Sequence, residues 1–165
     1  MCNIMSFRNQ RSSNMKYILV LTSLLSYAAF SSDFDDTKVL AEQGDAWRQF
    51  RLGWMYDNGK GVPENDAEAV EWYRKSANQG FRSAQFSLGR RYWSDDGVPE
   101  NSIRAYMWLS AAESQGIIIA GHYLEKLKSQ MTEQQIADGQ TLAAKCYESD
   151  YKVCSVLISS ADYSE

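Results

Sequence analysis

The segment from Gly44 to Gln79 recurs 36 residues later as Gly80 to Gln115, with Gly, Gln, Phe, Leu, Gly, Tyr, Gly, Val, Pro, Glu, Asn, Ala, Trp and Gln returning at matched positions. A repeat of this length is one supersecondary unit that cannot bury its own apolar face, so neighbouring units must stack and share a continuous core. Stacked units make surfaces for partners more readily than they enclose active sites.

Each unit opens on a glycine followed by apolar residues at helical spacing: Phe50, Leu52, Gly53 and Tyr56, then Phe86, Leu88, Gly89 and Tyr92. This spacing predicts a first helix, helix A. A glycine costs such a helix roughly 1 kcal/mol against alanine, so Gly53 and Gly89 at one register imply a second helix packed on bare backbone. The loop that follows carries Gly61-Val62-Pro63, repeated as Gly97-Val98-Pro99. Its glycines suit positive φ, and each proline holds the preceding valine extended. Asn65 and Asn101 are placed to cap a second helix, helix B, over about Asp66–Gln79 and Ser102–Gln115, with Asn65 and Glu68 at capping-box spacing. Ala69 and Ala105 let helix A approach, and Trp72 and Trp108 fill the seam. Gly80 and Gly116 end each helix B in the left-handed C-cap position.

The flanks continue the pattern. Residues 36–43 read as an incomplete helix B, 116–128 as a third helix A, and Thr132 starts a last helix with Gln135 in capping-box register. Atypical terminal helices are what an open stack needs to end solubly. The expected organisation is a leader at 1–31, a partial helix at 32–43, repeats at 44–79 and 80–115, a partial third repeat with a closing helix at 116–154, and a tail at 155–165.

The leader contains Arg8, Arg11 and Lys16, no acid, the apolar run from Tyr17 to Leu25, and then small residues, with cleavage sites after Ala28 or Ser31. This is a secretory signal pattern. Met15-Lys16 resembles a more usual start than Met1. A retained anchor would need about 20 apolar residues, more than this run supplies. Removal of the leader leaves 14 Lys and Arg against 21 Asp and Glu, a net charge of −7. Such a balance excludes non-specific nucleic-acid binding, which relies on clustered cations, and disfavours an anionic membrane surface. The expected location is the periplasm or the exterior. In that oxidising setting Cys146 and Cys154 form an even pair eight apart, and a disulfide between them would pin the tail to the last helix. The competing readings are a redox pair or two metal ligands, although there is no Cys-x-x-Cys and the lone His122 is distant in sequence.

The pattern Ala84-x-Phe86-x-Leu88-Gly89-x-x-Tyr92, then Gly97-Val98-Pro99, Ala105, Trp108, Ala111-Ala112 and Gly116 resembles the Sel-one-like repeat (SLR), a relative of the tetratricopeptide repeat. Met131-Thr-Glu-Gln-Gln-Ile-Ala137 and the terminal cysteines also look like the closing helix of exported bacterial members. The resemblance runs from about Asp36 to Cys154. It implies an all-α, right-handed α-solenoid of antiparallel helix pairs, with two full repeats plus capping helices. It also implies a concave face lined by the A helices and an adaptor role in the bacterial envelope. Four residues depart from the family pattern: Arg48 for alanine, Arg91 for methionine, Asp95 for the first loop glycine, and Gly139, which interrupts the last helix.

On an inner face built from A helices, the partner-binding candidates are Arg51, Trp54, Ser87, Arg90, Arg91 and Trp93, with packing against a neighbouring helix as the alternative for the two tryptophans. Tryptophan and arginine are enriched at binding hot spots. Asp95, Asp96 and Glu100 lack calcium-loop spacing and read as a solvated turn, and no metal or cofactor is expected. His122 shares the register of Phe50 and Phe86, so it is expected at the core edge rather than in a nucleophile–base system. The favoured function is a periplasmic scaffold that holds a protein or peptide. The alternatives are a small subunit of a larger envelope complex, such as a motor or secretion machine, and a hydrolase of cell wall or β-lactam.

Overall fold

The structure, a computed structural model, describes residues 33–94, 101–151 and 154. The leader, the acidic turn of Asp95, Asp96 and Glu100, the second loop's Gly97 and Pro99, and the tail lie outside the described residues. Everything regular among the described residues is helical: α1 (33–42), α2 (Ala46–Asp57), α3 (Asp66–Ala77), α4 (Arg82–Ser94), α5 (Ser102–Ser114), α6 (Ile118–Lys128) and α7 (Glu133–Glu148). The chain is an all-α helical-repeat solenoid. The α2–α3 and α4–α5 hairpins are the two units, α3 packs on α4 and α5 on α6 between units, and α7 lies along α5.

Both glycines of the A helices mark close approaches. A Cβ on Gly53 would stand 2.8 Å from the Tyr73 ring, and one on Gly89 would stand 2.8 Å from Leu109 Cγ and 3.0 Å from its backbone nitrogen. Tyr73 and Leu109 occupy the same place in successive units. Ala69 and Ala105 are fully buried beside them, and Trp108 fills the centre of the main core with no exposed surface.

Helix starts are tied to helix ends. The side chains of Asn65 and Asn101 accept from the backbone N–H of Glu68 (3.1 Å) and Arg104 (2.8 Å), as caps should. The backbone N–H of each asparagine donates to a tyrosine carbonyl at the end of helix A, Tyr56 at 3.0 Å and Tyr92 at 2.9 Å. That bond corrects the capping-box reading at Asn65, because the donor that Glu68 would have satisfied is already spent on Tyr56. Among the described residues a full box forms only at Thr132 and Gln135.

Two further expectations are corrected. Helix α7 runs unbroken through Gly139, whose bare Cα receives the Tyr106 ring of α5: a Cβ there would lie 2.8 Å from that ring. His122 is exposed instead of packed. Phe50 is covered by Phe81, and Phe86 by Tyr123 of α6. No helix among the described residues follows α6 on that side, since α7 turns onto α5, and the equivalent position has nothing to pack against. The two late cysteines are joined, with Cα atoms 4.9 Å apart. The disulfide holds Cys154 buried and closes the turn that carries Tyr151 against Gly80. A loop this short contributes about 2 kcal/mol on the chain-entropy view.

The glycine contacts make opposite forecasts. Gly89→Ala drives a methyl into Leu109 backbone and, after the helix-propensity gain, lowers stability by about 1–2 kcal/mol. Gly121→Ala meets only the mobile end of the exposed Glu113 side chain and raises stability by up to about 1 kcal/mol. Urea midpoints of the two variants against the parent chain check both signs.

Candidate functional site

A groove opens between α2 and α4, floored by α3. Trp54, Asp57, Asn58, Tyr73, Ser87, Arg90 and Arg91 line an open pocket of about 320 Å³. Trp54 also forms one wall of an apolar cleft of about 270 Å³ with Trp47, Phe50 and Arg51, so the two depressions share that indole. Trp54 is 40 % exposed and Trp47 46 %, unusual for side chains of this size.

The six residues expected on the inner face separate into three situations. Trp54, Ser87, Arg90 and Arg91 meet in the polar pocket, and Arg51 lies in the adjoining cleft. Trp93 stands apart, its ring edge-on to Tyr123 at 5.5 Å and its indole N–H donating to Gln130 Oε1 at 2.9 Å. It packs against the next helix, the alternative noted for it above.

The cations differ in how far they are committed. Arg91 stands where the first unit has the buried Met55. Its guanidinium pairs with Asp57, and with Asp66 at 2.6 Å, which ties α4 to both helices of the preceding unit. Arg51 is paired with Asp33 of α1 at 2.7 Å and lies 5.7 Å from the centre of the Trp47 ring. Arg90 is exposed, and among the described residues its guanidinium meets the rings of Tyr123 and Phe86 at 5.9 and 6.0 Å, the outer limit of a cation–π contact.

Tyr73 forms the floor. It is 1 % exposed, and its hydroxyl donates to Asp57 Oδ2 at 3.0 Å. Burial pushes its phenol well above the ordinary 10.0, and a hydrogen bond with Ser87 and the nearby Arg90 guanidinium pull it only part of the way back. Asp57 therefore has both oxygens occupied, one by Arg91 and one by Tyr73.

Reasoning from the A helices alone missed Tyr73, which reaches the groove from helix B. It also missed Trp47, although Trp47, Phe50, Arg51 and Trp54 fall at the i, i+3, i+4, i+7 spacing of a single helix face. The described residues contain no group of three or more His, Cys, Asp or Glu side chains placed to hold a metal ion.

A stack of helix pairs with an open, aromatic- and arginine-lined groove defines a helical-repeat interaction scaffold. Residues 49–81 and 82–117 each match the Sel1 repeat, so the chain carries two Sel1 repeats. Such repeats generally mediate protein–protein interactions. Among solved structures, the chain is similar to c5321, a protective antigen present in uropathogenic Escherichia coli strains that displays an SLR fold. The TM-score is 0.70 at 23 % identity, over 82 % of this chain and 29 % of that one, a likeness of fold alone. It is also similar to a Sel1 repeat protein from Oxalobacter formigenes, with a TM-score of 0.55 at 36 % identity over 55 % of this chain and 26 % of that one. The chain thus spans less than a third of either structure. No curated protein matches it.

The buried phenol has a measurable consequence. Because its folded pKa lies above the unfolded 10.0, the stability tied to that proton is complete below pH 10 and drains away as pH rises toward the folded value. Tyr73→Phe is expected to cost about 1 kcal/mol at neutral pH through the lost bond to Asp57. The variant should then lose less stability than the parent between pH 7 and 11, as read from denaturation midpoints at the two pH values.

Proposed function

We propose that this chain is an exported scaffold of the bacterial envelope whose α2–α4 groove holds a segment of another protein. The observation that carries the reading is the groove itself: Trp54 and Arg90 occupy the same position in successive units and form its two rims. A rigid exposed indole facing an arginine that has no carboxylate partner among the described residues is the composition of a binding hot spot. The positively charged leader and the Cys146–Cys154 disulfide support an oxidising, extracytoplasmic setting. No helix among the described residues is long and apolar enough to cross a membrane.

A second reading, a small subunit of a larger envelope assembly, is favoured by apolar side chains left exposed outside the groove. Ile118 is 81 % exposed, and Val39 and Ile119 are each more than half exposed. Hydrolysis of cell wall or β-lactam is the weakest reading. His122, the lone histidine, is exposed on α6 and does not line the groove.

Photo-crosslinking in living cells tests the scaffold reading. A photoreactive residue at position 54 or 90 is expected to give one dominant protein adduct, identified by mass spectrometry. The same residue at the exposed Glu68 on α3 should give none of it. Adducts equally strong from position 68, or absent from 54 and 90, would refute an occupied groove.

A further inference from the structure

We infer that the groove selects a peptide segment in which a single carboxylate lies within a few residues of an apolar side chain, the carboxylate on Arg90 and the apolar group between Trp47 and Trp54. This rests on the scaffold reading and adds the partner's chemistry to it. The charge argument comes first. The polar pocket is lined by two arginines and one aspartate, and that aspartate is saturated by Arg91 and the Tyr73 hydroxyl. Among the described residues Arg90 has ring faces at 5.9–6.0 Å and no acid in contact, so its guanidinium edge is open to a ligand. A guanidinium fork takes a carboxylate with two parallel N–H···O bonds, which a backbone carbonyl cannot match.

The second half of the footprint follows from Trp54. Its indole is the wall common to the polar pocket and the Trp47–Phe50 cleft, so an occupant of one lies beside the other. Arg51 in that cleft is already paired with Asp33, and although Arg48 lies 4.7 Å from the Trp47 ring centre, the lining of the cleft is mainly apolar and suits a Leu, Ile, Met or Phe side chain. The whole chain carries a net charge of −4, so an acidic tract would be repelled while one carboxylate, neutralised on contact, is not.

The test is selection of random 12-residue peptides displayed on phage against the full chain, followed by titration of the selected sequences as synthetic peptides. The expected result is enrichment of one Asp or Glu near a large apolar residue. Arg90→Ala should weaken such peptides by about tenfold or more, the loss of a charged hydrogen-bonded pair. Arg90→Glu should shift selection toward Lys or Arg, and Trp54→Ala should weaken both peptide classes. Lys145→Glu, an equal charge change on exposed α7, should leave selection unchanged. Circular dichroism melts confirm that each variant is folded, and Arg90→Lys, which keeps the charge, should retain part of the affinity. Synthetic peptides with free and amidated C-termini distinguish a terminal carboxylate from an Asp or Glu side chain, and either source satisfies the inference. No selected binder, binders without acids, or acidic preference that survives Arg90→Glu would overturn it. Crosslinks at position 54 without a carboxylate preference would sink the inference and leave the scaffold reading intact, whereas absent crosslinks strike the scaffold reading itself.

Discussion

Two buried glutamines hold the units in register. Gln49 donates to the carbonyl of Ala41, in the last turn of α1, at 3.1 Å and accepts from Gln79 at 2.7 Å. One unit later Gln85 donates to the carbonyl of Ala77, at the end of α3, at 3.3 Å and accepts from Gln115 at 2.7 Å. The carbonyls in a helix's last turn have no partner within their own helix, and inside a stack no water competes for them. Each A helix therefore satisfies the end of the preceding helix with the same side chain that its own B helix then grips. Each carbonyl also accepts a glycine N–H, from Gly44 at 3.1 Å and from Gly80 at 2.9 Å, so a unit that slipped along its neighbour would leave the buried glutamine amide unpaired, at about 1–3 kcal/mol. Apolar packing brings the helices together; these amides fix where along their length they meet.

That registration places the groove. Trp54 lies five residues beyond Gln49 and Arg90 five beyond Gln85, so the span between the two rims is the unit-to-unit translation that the glutamines define. The seam at Gly53 and Gly89 adds depth, because each A helix sits down on its B helix and Tyr73 rises between α2 and α4 as the floor. Arg91 then ties the floor to the wall. In the slot where the first unit has the buried Met55, it holds Asp57 and Asp66 against α4, so the one carboxylate that lines the groove is engaged by Arg91 and the Tyr73 hydroxyl. A position at which the repeat breaks its own apolar pattern thus sets the electrostatics of the site beside it.

Much of this was legible in the residues because the two copies separate two kinds of position. Where both units keep the same side chain, as at Gln49 and Gln85, Phe50 and Phe86, Gly53 and Gly89, or Tyr56 and Tyr92, the residue builds the stack. Where they differ on the same helices, as at Arg51 and Ser87, Trp54 and Arg90, or Met55 and Arg91, the residue is released from the repeat, and most of these line the groove. What escaped depended on contacts between helices, within a unit and across units, which a period of 36 residues does not display. Tyr73 enters the site because Gly53 admits its ring, Trp93 leaves it because Tyr123 of α6 is there to receive it, and His122 is exposed because no later A helix arrives among the described residues.

The same comparison explains why the groove lies at the first junction and not at the second. Between α4 and α6 the corresponding space is filled: Phe86 and Trp93 both stack edge-on with Tyr123, Lys126 lies over the Trp93 ring at 5.0 Å, and Gln130 takes the Trp93 N–H. Between α2 and α4 the residue equivalent to Trp93 is Asp57, a short side chain drawn down onto Arg91 and Tyr73, and Trp54 has no ring opposite it. One junction has spent its aromatic residues on internal packing and the other keeps them at the surface. Large apolar side chains held in the open give up burial that the fold offers a few ångströms away, at about 25 cal/mol for each Å² left wet. On the proposed reading, a partner that covers Trp47 and Trp54 recovers that free energy at the first junction, which the second, already filled, does not offer.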